Sequence, residues 1–324
     1  MARRITLGKP LGGFLAGAGL DDLALAGGNV HFVNPGAGSN TSSFFDGKSS
    51  DKPYATVAEA YANTSTGKND VVLLIGQATA DILTATIAWN TDYTHLIGVG
   101  GGKIQDRGRS RIMSTGVYDL TQLVTFSGVG CRVQNIHFSN EADVASATHG
   151  VVVSGIRNQF IHCHFAGCMD TGTSAIAASD SLLVTGTENE FIDCTIGNDT
   201  VLRGAANVAV MTHGATSRVR NIFRRCKFIS YSETAASIMA RFVTAERGII
   251  FEDCLFYNFS QAWAHNLTDC FSVDDDASTY DIILQGNNRL VGITGWAGAG
   301  SLAHIWIPNI NGAGTSGIEL NPTA

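Results

Sequence analysis

The chain has 324 residues, 44% hydrophobic and 15% charged, with 37 Gly and only 5 Pro. That apolar content is ample for a large core and excludes a disordered chain. A formal charge of −7 and a pI near 5.7 argue against wholesale nucleic-acid binding, though not against a local basic patch.

In chain order, residues 1–29 are Gly- and Ala-rich with a short apolar pattern from Leu11 to Leu25. They read as an N-terminal arm, either docked on a neighbouring subunit or frayed. Met1 to Ile5 carries charge but no apolar core ahead of a cleavage site, which predicts no signal peptide, and no apolar run is long enough to span a membrane. Val30 to Asn34 reads as a strand, followed by a polar loop to Lys52. Asp51 and Pro53 ahead of Tyr54, Val57, Ala58, Ala60 and Tyr61 mark a helix start. This predicts a short helix over about 53–63 that caps the first coil, because an uncovered solenoid end exposes unpaired strand edges. Asp70 to Ile75 and His95 to Gly100 are buried strands, and Gly100 to Gly102 turns into a charged loop from Lys103 to Arg111. No Walker or Rossmann pattern fits those glycines, so a turn is the reading.

The strongest signal is a repeat. Asn158-Gln-Phe160-Ile-His-Cys163-His-Phe165 recurs at Asn189 to Ile196 and at Asn221 to Phe228. It recurs without the Asn at Ile249 to Phe256, and more faintly at Val133 to Phe138. The steps between Cys163, Cys194, Cys226 and Cys254 are 31, 32 and 28 residues. Each copy ends in apolar–polar alternation, the mark of a half-buried strand. The three-residue step from Phe160 to Cys163 breaks the alternation and predicts a bulge or corner. Asn before the strand suits a sharp corner, because Asn tolerates left-handed backbone angles. Short apolar runs such as Val151 to Val153 and Leu182 to Val184 supply a second strand, with room for a third. Val, Ile, Phe and Thr dominate without a 3.6 period, so a helical-hairpin repeat is excluded. The chain is therefore read as an all-β parallel β-helix over 30–292, with about eight coils of roughly thirty residues. Trp296 and Trp306 begin an aromatic cap or tail over 293–324.

Four of the seven Cys fall on the repeated inward position and read as small apolar core residues. No C-x-x-C pair is present, and reduced thiols suit folding in a cytoplasm.

The segment from His31 through Ser39, Asp46, Lys52-Pro-Tyr-Ala-Thr-Val57 and Asn69 to Leu74 resembles the opening of right-handed β-helix proteins of the pectate-lyase-like superfamily. The Asn-x-Phe-x-x-Cys-x-Phe copies look like that superfamily's Asn corner and third strand. The resemblance covers about 31–290 and implies a right-handed coil. Within the superfamily, the chain looks like phage and prophage virion proteins, which implies a homotrimer.

Candidate chemistry is sparse. Lyases of this superfamily need Ca²⁺ held by carboxylates plus an Arg or Lys base, and hydrolases need two carboxylates ~5–10 Å apart. Asp193 and Asp253 share one place in their copies, but His162 and Arg225 hold that place in the others, so the carboxylates are not on adjacent rungs. Asp274, Asp275 and Asp276 form an acidic run without a spaced ligand loop and read as a solvated turn. Asp21, Asp22 and Glu233 show no partners in the sequence. His137, His162 and His164 lie in consecutive copies, but a histidine metal site needs convergent geometry and a third ligand, so they read as surface or half-buried side chains.

No catalytic, cofactor-binding or metal residue is assigned. The expectation is a non-enzymatic virion component, assembled in the host cytoplasm, that acts as a capsid cement or decoration protein. Its partners would be its own copies and the major capsid protein or other virion proteins, with no nucleic acid and no membrane. The alternative is a tailspike-like polysaccharide depolymerase or host-surface-binding protein that takes a surface polysaccharide.

Overall fold

The computed structural model describes residues 28–41, 45–102, 108–204, 209–214, 220–243, 247–261, 266–274, 281–298, 305–307 and 318–319. The N-terminal arm over 1–27, Asp21, Asp22, Asp275, Asp276 and most of the C-terminal tail lie outside the described residues.

The chain winds as a parallel β-solenoid whose rungs each contribute one strand to three sheets. Sheet A has eleven described strands, from Val30–Val33 to Ile318–Glu319. Sheet B has eight, from Asp81–Ile82 to Arg289–Val291, and sheet C has eight, from Ile87–Trp89 to Ile293–Ala297. Val71–Ile75, Asp81–Ile82 and Ile87–Trp89 make the first three-strand turn. Described pairings are parallel except the last in sheet A, where Ile318–Glu319 runs antiparallel to Ile305–Ile307.

Register explains the repeat. Phe160 pairs with Phe191, Phe191 with Phe223 and Phe223 with Phe251, so identical side chains fall on successive rungs. Their rings stack with centroids 4.8, 4.6 and 5.1 Å apart. Phe165 on sheet B meets Phe160 of sheet A edge to face at 5.7 Å, which closes the core across the corner. Cys163, Cys194, Cys226 and Cys254 are buried in the same core. Each thiol donates to a carbonyl one rung back: Cys194 to Phe160 at 3.4 Å, Cys226 to Phe191 at 3.4 Å and Cys254 to Phe223 at 3.3 Å. All seven cysteines are buried and unpaired.

The break between Phe160 and Cys163 is a corner. His162, Asp193, Arg225 and Asp253 all hold left-handed backbone there, with φ between 51° and 54°. The Asn corner differs from expectation. The left-handed residue is the one before the Asn: Arg157 at φ 59°, Glu188 at 58° and Arg220 at 41°. The asparagines instead lie buried and spend their amides on neighbouring rungs. Asn189 Oδ1 accepts from the Asn158 N–H at 2.9 Å, and Asn189 Nδ2 donates to the Gly155 carbonyl at 3.0 Å. Asn221 repeats the pattern toward Asn189 and Gly186, at 2.7 and 2.9 Å. A corner leaves peptide groups without sheet partners, and the amide ladder supplies them.

The N-terminal helix is Val57–Ala62, shorter than the 53–63 read from the sequence. Tyr54 is still in register with Val33 and its N–H donates to Phe32 at 2.8 Å, so helix cannot begin before Thr56 caps it. Val57 and Ala60 bury against the core. At the other end Trp296 packs against Phe256 and Phe271, each with centroids 5.7 Å away.

Candidate functional site

Strand alternation sends every second side chain of sheet B outward. Register then places Arg111, His137 and His164 in one row on three successive rungs. Around this row opens a recess of about 300 Å³, bordered also by Arg109, Glu141 and Asn198. Glu141 follows the strand Ile136–Asn140, and Asn198 lies just before the register of Thr195–Arg203 shifts against Lys227–Ser232.

The two imidazoles form a directed relay. His164 is 1% exposed and its Nε2 lies 2.9 Å from the Gly197 carbonyl, which can only accept. The His164 Nε2–H therefore donates, and in the neutral ring Nδ1 is left as an acceptor. His137 Nδ1 lies 2.9 Å from that Nδ1 and must donate to it. That leaves Nε2 as the acceptor of the His137 ring, and the ring lines the recess. Burial pushes His137 down to about 2, helped by His164, Arg109 and Arg111, and pushes His164 down to about 4. Both rings stay neutral at physiological pH. The Arg109 guanidinium sits 3.5 Å from His137 Nδ1, a contact between two donors and not a hydrogen bond. The Arg111 guanidinium donates to the Ala78 carbonyl. The recess thus offers two guanidinium groups, one fixed neutral acceptor, one amide and one carboxylate. That set recognises an anion with a hydroxyl donor beside it. Among the described residues one carboxylate, Glu141, lines it, so no pair of carboxylates is brought together there.

Other candidates separate. His162, Asp193 and Arg225 form an outer column, with Arg225 Nε and Nη2 each donating to Asp193 at 3.0 Å and His162 Nε2 3.4 Å from Asp193. Asp253 accepts from the Asn287 N–H at 2.7 Å. Asp274 pairs with Arg241 at 2.7 Å, and Glu233 accepts from Ser260 and Gln261 at 2.9 and 2.6 Å. Gly102 is packed so closely on the backbone of Asn135 and His162 that a side chain would not fit. A buried cluster escaped the sequence reading: His149 Nδ1 donates to Asp180 at 3.0 Å, with Arg203 fully buried nearby and donating to the carbonyls of Ser179 and Ala209. His149 and Asp180 open successive strands of sheet C in register and Arg203 ends Thr195–Arg203, all outside the Asn-to-Phe motif that carries the repeat. Among the described residues no three His, Cys, Asp or Glu side chains converge as metal ligands.

No protein-family model matches the chain, and no curated protein does. Among solved structures it is similar to a pectin methylesterase variant in complex with a hexasaccharide, at TM-score 0.54 and 14% identity over 82% of this chain and 80% of that one. The Aspergillus niger pectin methylesterase gives 0.50 and 14% identity over 82% and 86%. A tailspike protein, gp49 from Acinetobacter baumannii bacteriophage Fri1, described as a capsular polysaccharide depolymerase, gives 0.39 and 10% identity over 89% and 58%. The two methylesterases share the parallel β-helix fold, and such low identity speaks to fold alone. The third likeness is too loose to support an argument. The expectation of a capsid cement protein finds no support among these folds.

Proposed function

We propose that this β-helix engages a polysaccharide, as a host-surface-binding or depolymerase-type protein and not as capsid cement, and that the sheet B recess holds an acidic sugar unit. The carrying observation is the pair of guanidinium groups, Arg109 and Arg111, that line one recess together with the neutral His137 ring. A uronate carboxylate would meet the arginines while a neighbouring hydroxyl donates to His137. The likeness to a methylesterase fold with a bound hexasaccharide is consistent with a glycan on such a scaffold. Placement on a virion and a homotrimer belong to the same proposal; immunolabelling of particles and sedimentation analysis test them.

The test is calorimetry with oligogalacturonate against neutral dextran. The acidic oligomer should bind and dextran should not, and Arg109→Ala with Arg111→Ala should weaken binding at least tenfold, as expected for charge-assisted contacts. Equal binding of both glycans, or of neither, would remove the reading. Release of reducing or unsaturated ends from the acidic polymer would assign turnover to the chain.

A further inference from the structure

The recess ends where a second surface begins on the same sheet. Gly197, whose carbonyl anchors the histidine relay, is in register with Ile229 on the next rung, Ile229 with Tyr257, and Tyr257 with Val291. Beside that row stand Tyr231 and Phe259, also in register, with ring centroids 5.5 Å apart and edge to face. Phe259 and Val291 are 37% and 47% exposed, uncommon for large apolar side chains in a strand. Ile229 itself is buried, so the strip that faces solvent consists of Phe259 and Val291 with Tyr257 and Tyr231 half-buried beside them. A charged row borders it, because Lys227 and Arg289 both stand in register with Leu255.

Resting on the polysaccharide reading above, we infer that this strip is the continuation of the same binding surface, so that the ligand is an extended acidic glycan lying along the solenoid axis. Its acidic unit would sit in the recess and its later rings would stack on Tyr257 and Phe259. Pyranose rings offer apolar C–H faces to aromatic side chains and hydroxyl or carboxylate edges to flanking cations, and the strip supplies both. Parallel rungs repeat at about 4.8 Å, close to the rise of one sugar in an extended chain, so the rows can be matched ring by ring. Four rungs carry the recess and three carry the strip, which puts their centres roughly 17 Å apart at that spacing. No disaccharide spans that distance.

The experiment measures binding of uronate di-, tetra- and hexasaccharides to the full chain by calorimetry, together with Tyr257→Ser/Phe259→Ser and Val291→Ser. Affinity should rise from the disaccharide to the hexasaccharide. The double variant should lower hexasaccharide affinity by about tenfold, the scale of lost aromatic contacts, and leave the disaccharide unchanged. These side chains face outward; circular dichroism and sedimentation confirm that each variant is folded, and Val291→Ser, a smaller change, gives a lesser loss in the same direction. Equal affinity for short and long oligomers, or a double variant that binds the hexasaccharide normally, overturns the extended surface while leaving the recess reading intact. Failure of every oligomer to bind overturns both. A double variant that changes only the oligomeric state shows that a second copy of the chain covers the strip, and also overturns it.

Discussion

Asp81 is 1% exposed, and its Oδ2 accepts the Val57 N–H at 2.7 Å, at the first turn of the N-terminal helix. Burial pushes its carboxyl up to about 6, against the pull of that hydrogen bond. The folded chain therefore holds this proton more tightly than the unfolded chain, whose value is 3.8. The contribution is fully present below about pH 4 and is lost as pH rises through 6, by about 3 kcal/mol. Urea melts at pH 4 and pH 7 should show the native chain losing about that much relative to Asp81→Asn as pH rises. That loss comes on top of the gain that the buried neutral histidines give both chains over the same range. The histidine relay predicts the opposite kind of profile. With both rings neutral above about 4, glycan affinity should be level from pH 5 to 8. A rise in affinity as pH falls through 6.5 would mean a charged imidazole and a different tautomer. At this scale the sequence was only partly legible. His137 and His164 were visible at equivalent outward places in consecutive copies, but the sequence read them as surface or half-buried side chains and not as two buried rings in contact. Glu141 and Asn198 stand outside the regular alternation and had no signal at all.

At the scale of the corner, conformation and bonding are divided between neighbours. The residue before each Asn takes the left-handed angle, and the Asn supplies the missing hydrogen bonds. The sequence suggested one residue doing both, since Asn alone has the composition of a turn, whereas Arg157, Glu188 and Arg220 carry no such mark. Asn189→Leu would leave the Asn158 N–H and the Gly155 carbonyl buried without partners. At about 1–3 kcal/mol for each group, the loss should be roughly 2–6 kcal/mol in chemical denaturation. A change under 0.5 kcal/mol, the size of an ordinary surface substitution, would show that the ladder is incidental. The outer ion pairs are different in kind. Arg157, Glu188 and Arg220 are paired, but both arginine side chains are 70% exposed and such pairs contribute little.

For the whole molecule, the fold was the most legible feature, because a solenoid writes the same core position into every rung. Aromatic and thiol spacing with the short apolar runs gave two strands around a corner in each rung and room for the third that sheet topology supplies. What the spacing could not give was the outer surface, where each rung differs and where the recess and the aromatic strip lie. The buried thiols provide a test of the whole stack. Burial holds Cys163, Cys226 and Cys270 well above the ordinary thiol range, and all seven thiols are shielded. A thiol reagent should label none in native buffer and seven after unfolding in urea. Rapid labelling of the folded chain would contradict the inward register.

Because the inward Phe positions stay in register from rung to rung, the molecule is in effect a ruler graduated in single rungs. Splicing one extra rung between Lys227–Ser232 and Leu255–Phe259 would carry Tyr257 and Phe259 about 4.8 Å farther from the histidine pair without touching either. A lineage of such chains could thus change the reach of its surface by counting, one graduation at a time.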